Sequence, residues 1–218
     1  MSVYLHPSSV VDPGAIIRDF TSIWHFCHIE SRAVVGENNN LGQNVYVGND
    51  AVIGNACRIG NSVSIFSHIV LEDFVFCAPF MVFTHIFYPR ASVTRRNVFA
   101  TTLVKTGATI GANATIVPAV TVGTGAFIGA GAVLTASCPD WSLMIGSPAR
   151  HVGWVSAFGD KIPLPLEGQG EWRCPESDDI YRLDGKTLTR TAGPTDVLRY
   201  EHGVRFTRHV GLRDGAKS

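Results

Sequence analysis

Two histidines in the middle of the chain have the chemistry that proton transfer near neutral pH requires. His85 directly follows the segment MVFT, and Ser67, with His68 beside it, stands eighteen residues earlier. A histidine with a pKa of about 6.5 can accept a proton from an attacking group at physiological pH. Glu72, four residues after His68, could orient such a histidine or contact a ligand. The alternative is that both histidines and the glutamate are polar side chains on solvated turns.

A second set of polar residues repeats at the same interval. His25, Gln43 and Asn61 are each eighteen residues apart, and Trp24 and Phe26 flank the histidine. If strands stack at about 4.8 Å, such a row forms a strip that can recognise sugar hydroxyls or the edges of a base. It can equally form a structural ladder of side-chain hydrogen bonds, so both interpretations stay open.

These side chains stand on a chain in which an aliphatic residue returns at every sixth position. A period of six fits neither the 3.6-residue stripe of a helix nor long strand alternation, but it fits short strands joined by sharp corners. Three such units close one triangular coil of eighteen residues, so the sequence predicts an all-β fold, a left-handed parallel β-helix. The aliphatic row consists of Val11, Ile17, Ile23, Ile29, Val35, Leu41, Val47, Ile53, Ile59, Ile65 and Leu71, then Val104, Ile110, Ile116, Val122, Ile128 and Leu134.

The aliphatic row is interrupted once and ends well before the C-terminus. After Phe83 the repeat is lost, and we predict an extruded loop over residues 85–103. Long excursions from a rigid scaffold are usually functional. Because the row ends at Leu134, residues 1–152 are predicted to form the β-helix domain and residues 153–218 a small C-terminal β appendage.

The composition bounds the class of protein and its partners. The 218 residues are 45% hydrophobic with a formal net charge of +0, which is typical of a globular protein and offers no positive field for nucleic acid. No stretch is apolar enough to span a membrane and the start lacks a secretory signal pattern, so we expect a cytoplasmic protein. The five cysteines include no C-x-x-C pair, which argues against a disulfide framework or a zinc site.

Several segments resemble one known group of enzymes. The aliphatic row followed by GSPAR at 146–150 is similar to the left-handed β-helix acyltransferase superfamily. Closer motifs are IWHFCHI (23–29), LGQNVYVG (41–48), MVFT with Pro89-Arg90, and TLVKTGATIGAN (102–113). Together they resemble the bacterial N-acetyltransferases that act on nucleotide-linked 3-amino sugars, over about residues 5–158. His85 stands where that family usually has Asn.

The resemblance implies an acyl-CoA-dependent N-acetyltransferase that works as a homotrimer, with acetyl-CoA and a UDP- or dTDP-linked amino sugar meeting between neighbouring chains. Such enzymes supply bacterial surface polysaccharides or glycoconjugates, including lipopolysaccharide. In that setting His85 is the first choice for the catalytic base, with His68 and Glu72 as further catalytic candidates. The strip of His25, Gln43 and Asn61, together with Ser67 and Arg90, would bind the substrate.

The donor half of the site rests on basic and small residues. Lys105 and Arg150 could reach the phosphates of CoA, which favour point charges or guanidinium forks. The pantetheine arm would lie along Gly107, Ala108 and Ala126, although corner geometry alone also explains such small residues. Three arginines of the loop could bind a pyrophosphate or could simply be solvated, namely Arg90, Arg95 and Arg96.

Two other functions are compatible with the sequence. A zinc lyase of the γ-carbonic-anhydrase type uses the same fold with three histidines between subunits, but the spacing of the histidines here gives no obvious three-ligand cluster. An O-acetyltransferase or an inactive scaffold is the other alternative. The appendage also resembles a degenerate zinc ribbon in which Cys174 is the one remaining ligand, so no metal is expected.

Overall fold

Strands of two or three residues, joined mostly by four-residue turns, make up the first two thirds of the chain. The computed structural model describes residues 2–94, 100–194, 196–199 and 202. The strands of this region are β1 (Tyr4–Leu5), β2 (Val10–Val11), β3 (Ile16–Ile17), β4 (Ser22–Ile23), β5 (His28–Ile29), β6 (Val34–Val35), β7 (Asn40–Leu41), β8 (Tyr46–Val47), β9 (Val52–Ile53), β10 (Arg58–Ile59), β11 (Ser64–Ile65), β12 (Ile69–Leu71), β13 (Phe76–Cys77), β14 (Val82–Phe83), β15 (Thr102–Val104), β16 (Thr109–Ile110), β17 (Thr115–Ile116), β18 (Thr121–Val122), β19 (Phe127–Ile128) and β20 (Val133–Leu134).

Every third strand stacks in parallel on the next and, except between β11 and β14, hydrogen-bonds to it, which builds a prism with three faces. Face A contains β1, β4, β7, β10, β13, β16 and β19; face B contains β2, β5, β8, β11, β14, β17 and β20; face C contains β3, β6, β9, β12, β15 and β18. The register advances by eighteen residues per coil, as in Ser22 opposite Asn40. The predicted parallel β-helix of hexapeptide repeats is therefore confirmed.

The aliphatic row fills the interior of the prism. The second residue of most strands points inward, and Ile23, Ile29 and Val35 are all completely buried. Small residues such as Ala33 and Ala51 close the corners from inside and are also fully buried. This alternation leaves the first residue of the two-residue strands on the outer surface, where it is available for contacts.

Turns between faces form three corners that run the length of the prism. The AB corner consists of residues 6–9, 24–27, 42–45, 60–63, 78–81, 111–114 and 129–132; the BC corner of 12–15, 30–33, 48–51, 66–68, 84–101, 117–120 and 135–138; the CA corner of 18–21, 36–39, 54–57, 72–75, 105–108, 123–126 and 139–141. Non-glycine residues often take the left-handed conformation there, for example Ala56 and Phe74. At Gly36 a glycine is needed for space and not for a left-handed backbone, because a Cβ would overlap the carbonyl oxygen of Gly54 in the next coil. The glycines after the aliphatics thus permit close stacking of coils.

The break in the repeat is an excursion at the BC corner. It begins after β14 and ends at Thr101, so the predicted loop over 85–103 is two residues too long at its end. Thr102 is buried and pairs with Ile69, which extends both β12 and β15 to three residues. The sheet of face B is also divided at this level, since β11 and β14 belong to separate hydrogen-bonded sheets.

The C-terminal part changes from parallel to antiparallel pairing. Strands β21 (Ser142–Ile145), β22 (Arg150–Val155) and β23 (Lys161–Ile162) extend face A, and β24 (Gly168–Arg173), β25 (Ile180–Gly185) and β26 (Thr187–Thr191) form a separate antiparallel sheet. A second apolar core lies here and includes Trp141, Trp154 and Tyr181. The antiparallel pairing starts at β21, and residue 153 falls within β22, so the division into residues 1–152 and 153–218 stays a prediction.

The five cysteines give a direct test of this packing. All are free and buried, and burial raises the pKa of the Cys57 thiol to about 12. Because the thiolate is the reactive form, we expect a disulfide reagent to label no cysteine rapidly in the folded protein and all five after denaturation. A Ser92→Cys variant, with its new thiol at an exposed position, is the control and should react at once. Rapid labelling of a native thiol would contradict the packing.

Candidate active site

His85 lies where the excursion leaves the prism, on an aromatic column along face B. Its ring stacks on Phe66 with centroids 4.4 Å apart and an interplanar angle of 23°. Phe66 lies 5.8 Å from Tyr46, which in turn lies 5.9 Å from His28. Partial burial lowers the pKa of His85 below its usual value. The imidazole is therefore neutral at pH 7 and able to accept a proton.

His68 and Ser67 share the BC corner with His85, one coil earlier. The His68 backbone adopts a left-handed conformation with φ of 64°, and its carbonyl oxygen accepts a hydrogen bond from the Thr102 N–H at 3.2 Å. The hydrogen bond and charge of Arg32, opposed by burial, lower the pKa of Asp50, and the charge of His68 adds to the effect. His68 therefore lies on the same polar edge as the ion pair between Arg32 and Asp50.

Arg90 is the described arginine of the excursion. Its side chain is exposed, and one guanidinium N–H donates to the carbonyl oxygen of Pro89 at 3.1 Å. Arg95 and Arg96, the other two arginines predicted to bind a pyrophosphate, lie outside the described residues. The structure thus places one cationic side chain on the part of the excursion that follows His85.

Glu72, predicted either to orient a histidine or to contact a ligand, has Thr106 as its hydrogen-bond partner. Its Oε2 accepts hydrogen bonds from the N–H and the hydroxyl of Thr106, each at 2.8 Å. This contact holds two coils together at the CA corner. Strand β12 separates Glu72 from His68, so the two side chains lie at opposite edges of face C. The Glu72 carboxylate therefore stabilises the CA corner.

The eighteen-residue polar row forms a depression at the AB corner. A cavity of about 290 Å³ is lined by Trp24, His25, Asn40, Gly42, Gln43 and Asn61, so the three predicted residues do lie together. The Asn61 amide oxygen accepts from the Gln43 backbone N–H at 3.1 Å, which is the structural-ladder role. The side chain of Gln43 is exposed, and His25 stacks on His6 at 3.6 Å. The ladder interpretation therefore applies to Asn61, and binding of a ligand by His25 and Gln43 stays a prediction.

The predicted donor residues other than Arg150 all lie at the CA corner, and the structure corrects the role of the small ones. Ala108 and Ala126 are completely buried inside the prism, so their side chains cannot line a groove. Gly107 has a left-handed φ of 72°, and a Cβ on it would come within 2.9 Å of the Leu198 methyl groups. The chain's own C-terminal segment thus covers the corner that was expected to admit pantetheine. The small size of Ala108 and Ala126 lets the corner close over the interior, and the missing Cβ of Gly107 leaves room for Leu198.

The two predicted cations of the donor site remain on the surface. Lys105 lies at the CA corner, with its Nζ 3.5 Å from Asp140 Oδ1. Arg150 is exposed at the start of β22, beyond the last turn of the AB corner. Either side chain can contact a phosphate, but the two stand on different corners.

The sequence did not reveal the aromatic column or the contact of Leu198 with Gly107. Tyr46 follows His28 by one coil period and pairs with it in register, so the spacing could have revealed the start of the column. Phe66 lies one residue beyond the aliphatic row and gave no periodic signal. Leu198 lies far along the chain from Gly107 and could not have been found by spacing.

The candidate residues therefore lie on three separate edges of one chain. His68, His85 and Arg90 are at the BC corner, His25 and its neighbours at the AB corner, and Lys105 at the CA corner. In residues 2–94, 100–194, 196–199 and 202, no group of three or more His, Cys, Asp or Glu side chains is arranged to hold a metal ion. The same residues contain no helix able to cross a membrane.

Comparison with known proteins places the chain among sugar-modifying transferases. The model of the bacterial transferase hexapeptide (six repeats) matches residues 101–136. The chain is 36% identical over 171 residues to dTDP-3-amino-3,6-dideoxy-alpha-D-galactopyranose 3-N-acetyltransferase of Aneurinibacillus thermoaerophilus, covering 78% of this chain and 88% of that protein.

The chain is also similar to solved structures at lower identity. A variant of AntD, an N-acyltransferase from Bacillus cereus in complex with dTDP and coenzyme A, is 18% identical with a TM-score of 0.53, covering 67% of this chain and 83% of that chain. The acetyltransferase domain of PglB from Neisseria gonorrhoeae in complex with acetyl coenzyme A is 23% identical with a TM-score of 0.45; 69% of this chain and 57% of that chain are covered. The first of these has the same β-helical architecture.

Proposed function

Since the chain belongs to the hexapeptide-repeat sugar N-acetyltransferases, we propose that it transfers an acetyl group from acetyl-CoA to the amine of a nucleotide-linked amino sugar. The observation that carries this proposal is the 36% identity to a dTDP-3-amino-sugar 3-N-acetyltransferase over 88% of that protein's length. The proposed acceptor is accordingly a dTDP-linked sugar with a free amine. The acetylated nucleotide sugar would serve as a building block for bacterial surface polysaccharide such as lipopolysaccharide. We propose that the enzyme makes it in the cytoplasm and works as a homotrimer.

The reaction requires little machinery. The amine nitrogen attacks the thioester carbonyl carbon and forms the C–N bond, and the resulting tetrahedral intermediate then breaks its C–S bond and expels CoA. Holding the two substrates together supplies several kcal/mol of the acceleration. We propose that His85 accepts the proton from the nitrogen and returns it to the departing thiolate, with His68 on the same edge contacting the substrate. The lowered pKa of His85 supports this role, because the imidazole is unprotonated when the amine arrives.

Acceptor binding uses the polar strips. We propose that His25, Gln43 and Asn61 contact the base or sugar edges of the nucleotide, and that Ser67 and Arg90 contact the sugar and its pyrophosphate. The shared depression at the AB corner and the exposed guanidinium after His85 support these assignments. Trp24, whose indole N–H donates to Asn40 at 2.9 Å, gives the depression an aromatic wall.

Donor binding depends on Lys105, with Arg150 as the second cation. We expect Lys105→Ala to raise the KM for acetyl-CoA about tenfold while the turnover number stays nearly constant, since one charge-assisted contact to a phosphate is worth about 1.5 kcal/mol or more. Steady-state kinetics with varied acetyl-CoA measures this. Lys161→Ala, which removes an exposed lysine on β23, is the control and should leave the KM unchanged. Equal KM values for Lys105→Ala and the parent would remove Lys105 from the donor site.

A panel of acceptors tests the reaction class. The protein is incubated with acetyl-CoA, a thiol reagent and nucleotide sugars that carry either an amine or a hydroxyl at the same carbon, linked to dTDP or UDP. We expect CoA release with the amino sugars alone, fastest with the dTDP-linked form. Release with the hydroxyl acceptors alone would reject the amine assignment.

A further inference from the structure

The C-terminal segment returns to the prism and fills a notch at the CA corner. Gly107 has no side chain, and the methyl carbons of Leu198 lie 2.9 Å from the point where its Cβ would be. The donor candidate Lys105 precedes this glycine by two residues, and Ala108, which follows it, points into the prism. At Gly107 the corner therefore presents backbone to the outside. Leu198 occupies the space on that backbone, beside the proposed donor cation.

The next coil has the same notch with a different filler. Gly125 stands one coil after Gly107 and also has a left-handed backbone, with φ of 61°. The indole ring of Trp141 occupies the place of its Cβ. Trp141 is 5% exposed and belongs to the core of the appendage, so it is a permanent part of the fold. Leu198 is only partly buried. Of the two fillers, Leu198 is the one that can leave without opening a core.

A carboxylate anchors the segment just before the leucine. Asp196 Oδ1 accepts a hydrogen bond from Arg190 at 2.7 Å and another from the Leu198 N–H at 3.1 Å. Farther along the chain, the side chain of His202 is 77% exposed and its Nδ1 lies 3.7 Å from Glu37 Oε2. Ion pairs as exposed as this one contribute little to stability. A buried anchor followed by an exposed end is the arrangement of a strap that can swing away from the corner.

The pantetheine arm of CoA has the same general chemistry as such a peptide segment. Both are thin chains with amide groups at intervals. Pantetheine carries a geminal dimethyl group, and leucine likewise ends in two methyl groups on one carbon. A corner of exposed backbone that accommodates Leu198 is therefore also suited to the pantetheine arm, and the two cannot lie there together.

We propose that residues 196–199, here called the strap, are autoinhibitory: they lie in the path of the pantetheine arm, and acyl-CoA binds beside Lys105 only when Leu198 has left Gly107. The inference rests on the proposed function, because it takes acyl-CoA as the ligand. Since only the fraction of molecules with an open strap binds the donor, the apparent Kd is the intrinsic Kd divided by that fraction. The strap thus sets the donor concentration at which the protein becomes active.

Removing the leucine methyl groups tests the strap. We expect Leu198→Ala to lower the Kd for acetyl-CoA about tenfold in calorimetry, the factor by which packing of a leucine side chain favours the closed state. The KM for acetyl-CoA should fall alike, with an unchanged turnover number. Leu166→Ala is the matched control, because Leu166 is a 42% exposed leucine outside the corner, and it should keep the parental Kd. An equal or higher Kd in Leu198→Ala overturns the proposal, since the leucine then has no influence on the donor or binds it.

Hydrogen exchange gives a second readout that needs no turnover. A ligand normally slows exchange where it binds, whereas a displaced strap exchanges faster. We expect saturating acetyl-CoA to accelerate exchange of the Leu198 N–H, which loses its acceptor Asp196 when the strap leaves. Slower or unchanged exchange overturns the strap. If acetyl-CoA binds neither the parent nor Leu198→Ala, the proposed function fails and the strap with it. Acetyl transfer with equal Kd values in the two proteins overturns the strap alone.

Discussion

Replacing His85 by alanine is expected to lower the turnover number about 10²-fold or more, the usual contribution of a general base. The imidazole stacks on Phe66 at the point where the excursion leaves the prism, and its removal leaves the attacking amine without a proton acceptor. Steady-state kinetics at saturating concentrations of both substrates measures the effect. His28→Ala is the matched control, since His28 lies on the same aromatic column but three coils away, and it should keep the turnover number within twofold.

The pH profile provides a second readout for the same residue. Burial lowers the pKa of His85, and the base acts only when unprotonated, so activity is lost as the pH falls through that lowered value. We therefore expect kcat/KM of the parent to stay level until the pH drops below about 6.5. The His85→Ala variant should lose this acidic limb. An unchanged turnover number in the variant would favour proton transfer through the substrate itself.

Replacing Asp179 by alanine is expected to destabilise the C-terminal appendage by about 3–5 kcal/mol, the cost of breaking a buried ion pair. The Asp179 carboxylate is completely buried and accepts hydrogen bonds from Arg190 Nε at 2.8 Å and from the Gly193 N–H at 2.7 Å. Arg190 also binds Asp196, whose Oδ1 accepts from the Leu198 N–H. The network thus connects the core of the appendage to the leucine that covers Gly107.

Tryptophan fluorescence during urea unfolding measures this loss, because Trp141 and Trp154 lie in the core of the appendage. Asp184→Ala, at an exposed position on β25, is the control and should change the free energy of unfolding by less than about 0.5 kcal/mol. Burial alone would raise the pKa of Asp179, but hydrogen bonds from Arg190 and Gly193 outweigh it and lower the pKa. The contribution is therefore complete above about pH 3.9 and is lost as the pH falls through the lower folded value. Equal stability of Asp179→Ala and the parent would contradict the role of the network.

The sequence was sufficient to predict the prism because its interior is periodic. Each aliphatic of the row occupies an equivalent position in successive coils, so one spacing fixes strands, faces and register together. The same spacing correctly grouped His25, Gln43 and Asn61. It also placed Ser67 and His68 at the corner of His85.

What the period could not predict is the direction of side chains at the corners and contacts between distant segments. Ala108 and Ala126 were expected to line a ligand groove, but their side chains point inward and are completely buried. Glu72 was predicted to orient a histidine or to contact a ligand, yet the turn after β12 directs its carboxylate to Thr106. The Leu198 contact depends on the path of the C-terminal segment, which no repeat controls.

Identification of the reaction product tests the central claim most directly. A dTDP-linked amino sugar and acetyl-CoA labelled with ¹³C in the acetyl carbonyl are incubated with the protein, and the products are analysed by mass spectrometry and NMR. We expect one labelled acetyl group per sugar, joined to the sugar nitrogen as an amide, and one equivalent of free CoA. Label on a sugar oxygen, or no labelled sugar while CoA remains acylated, would contradict the account.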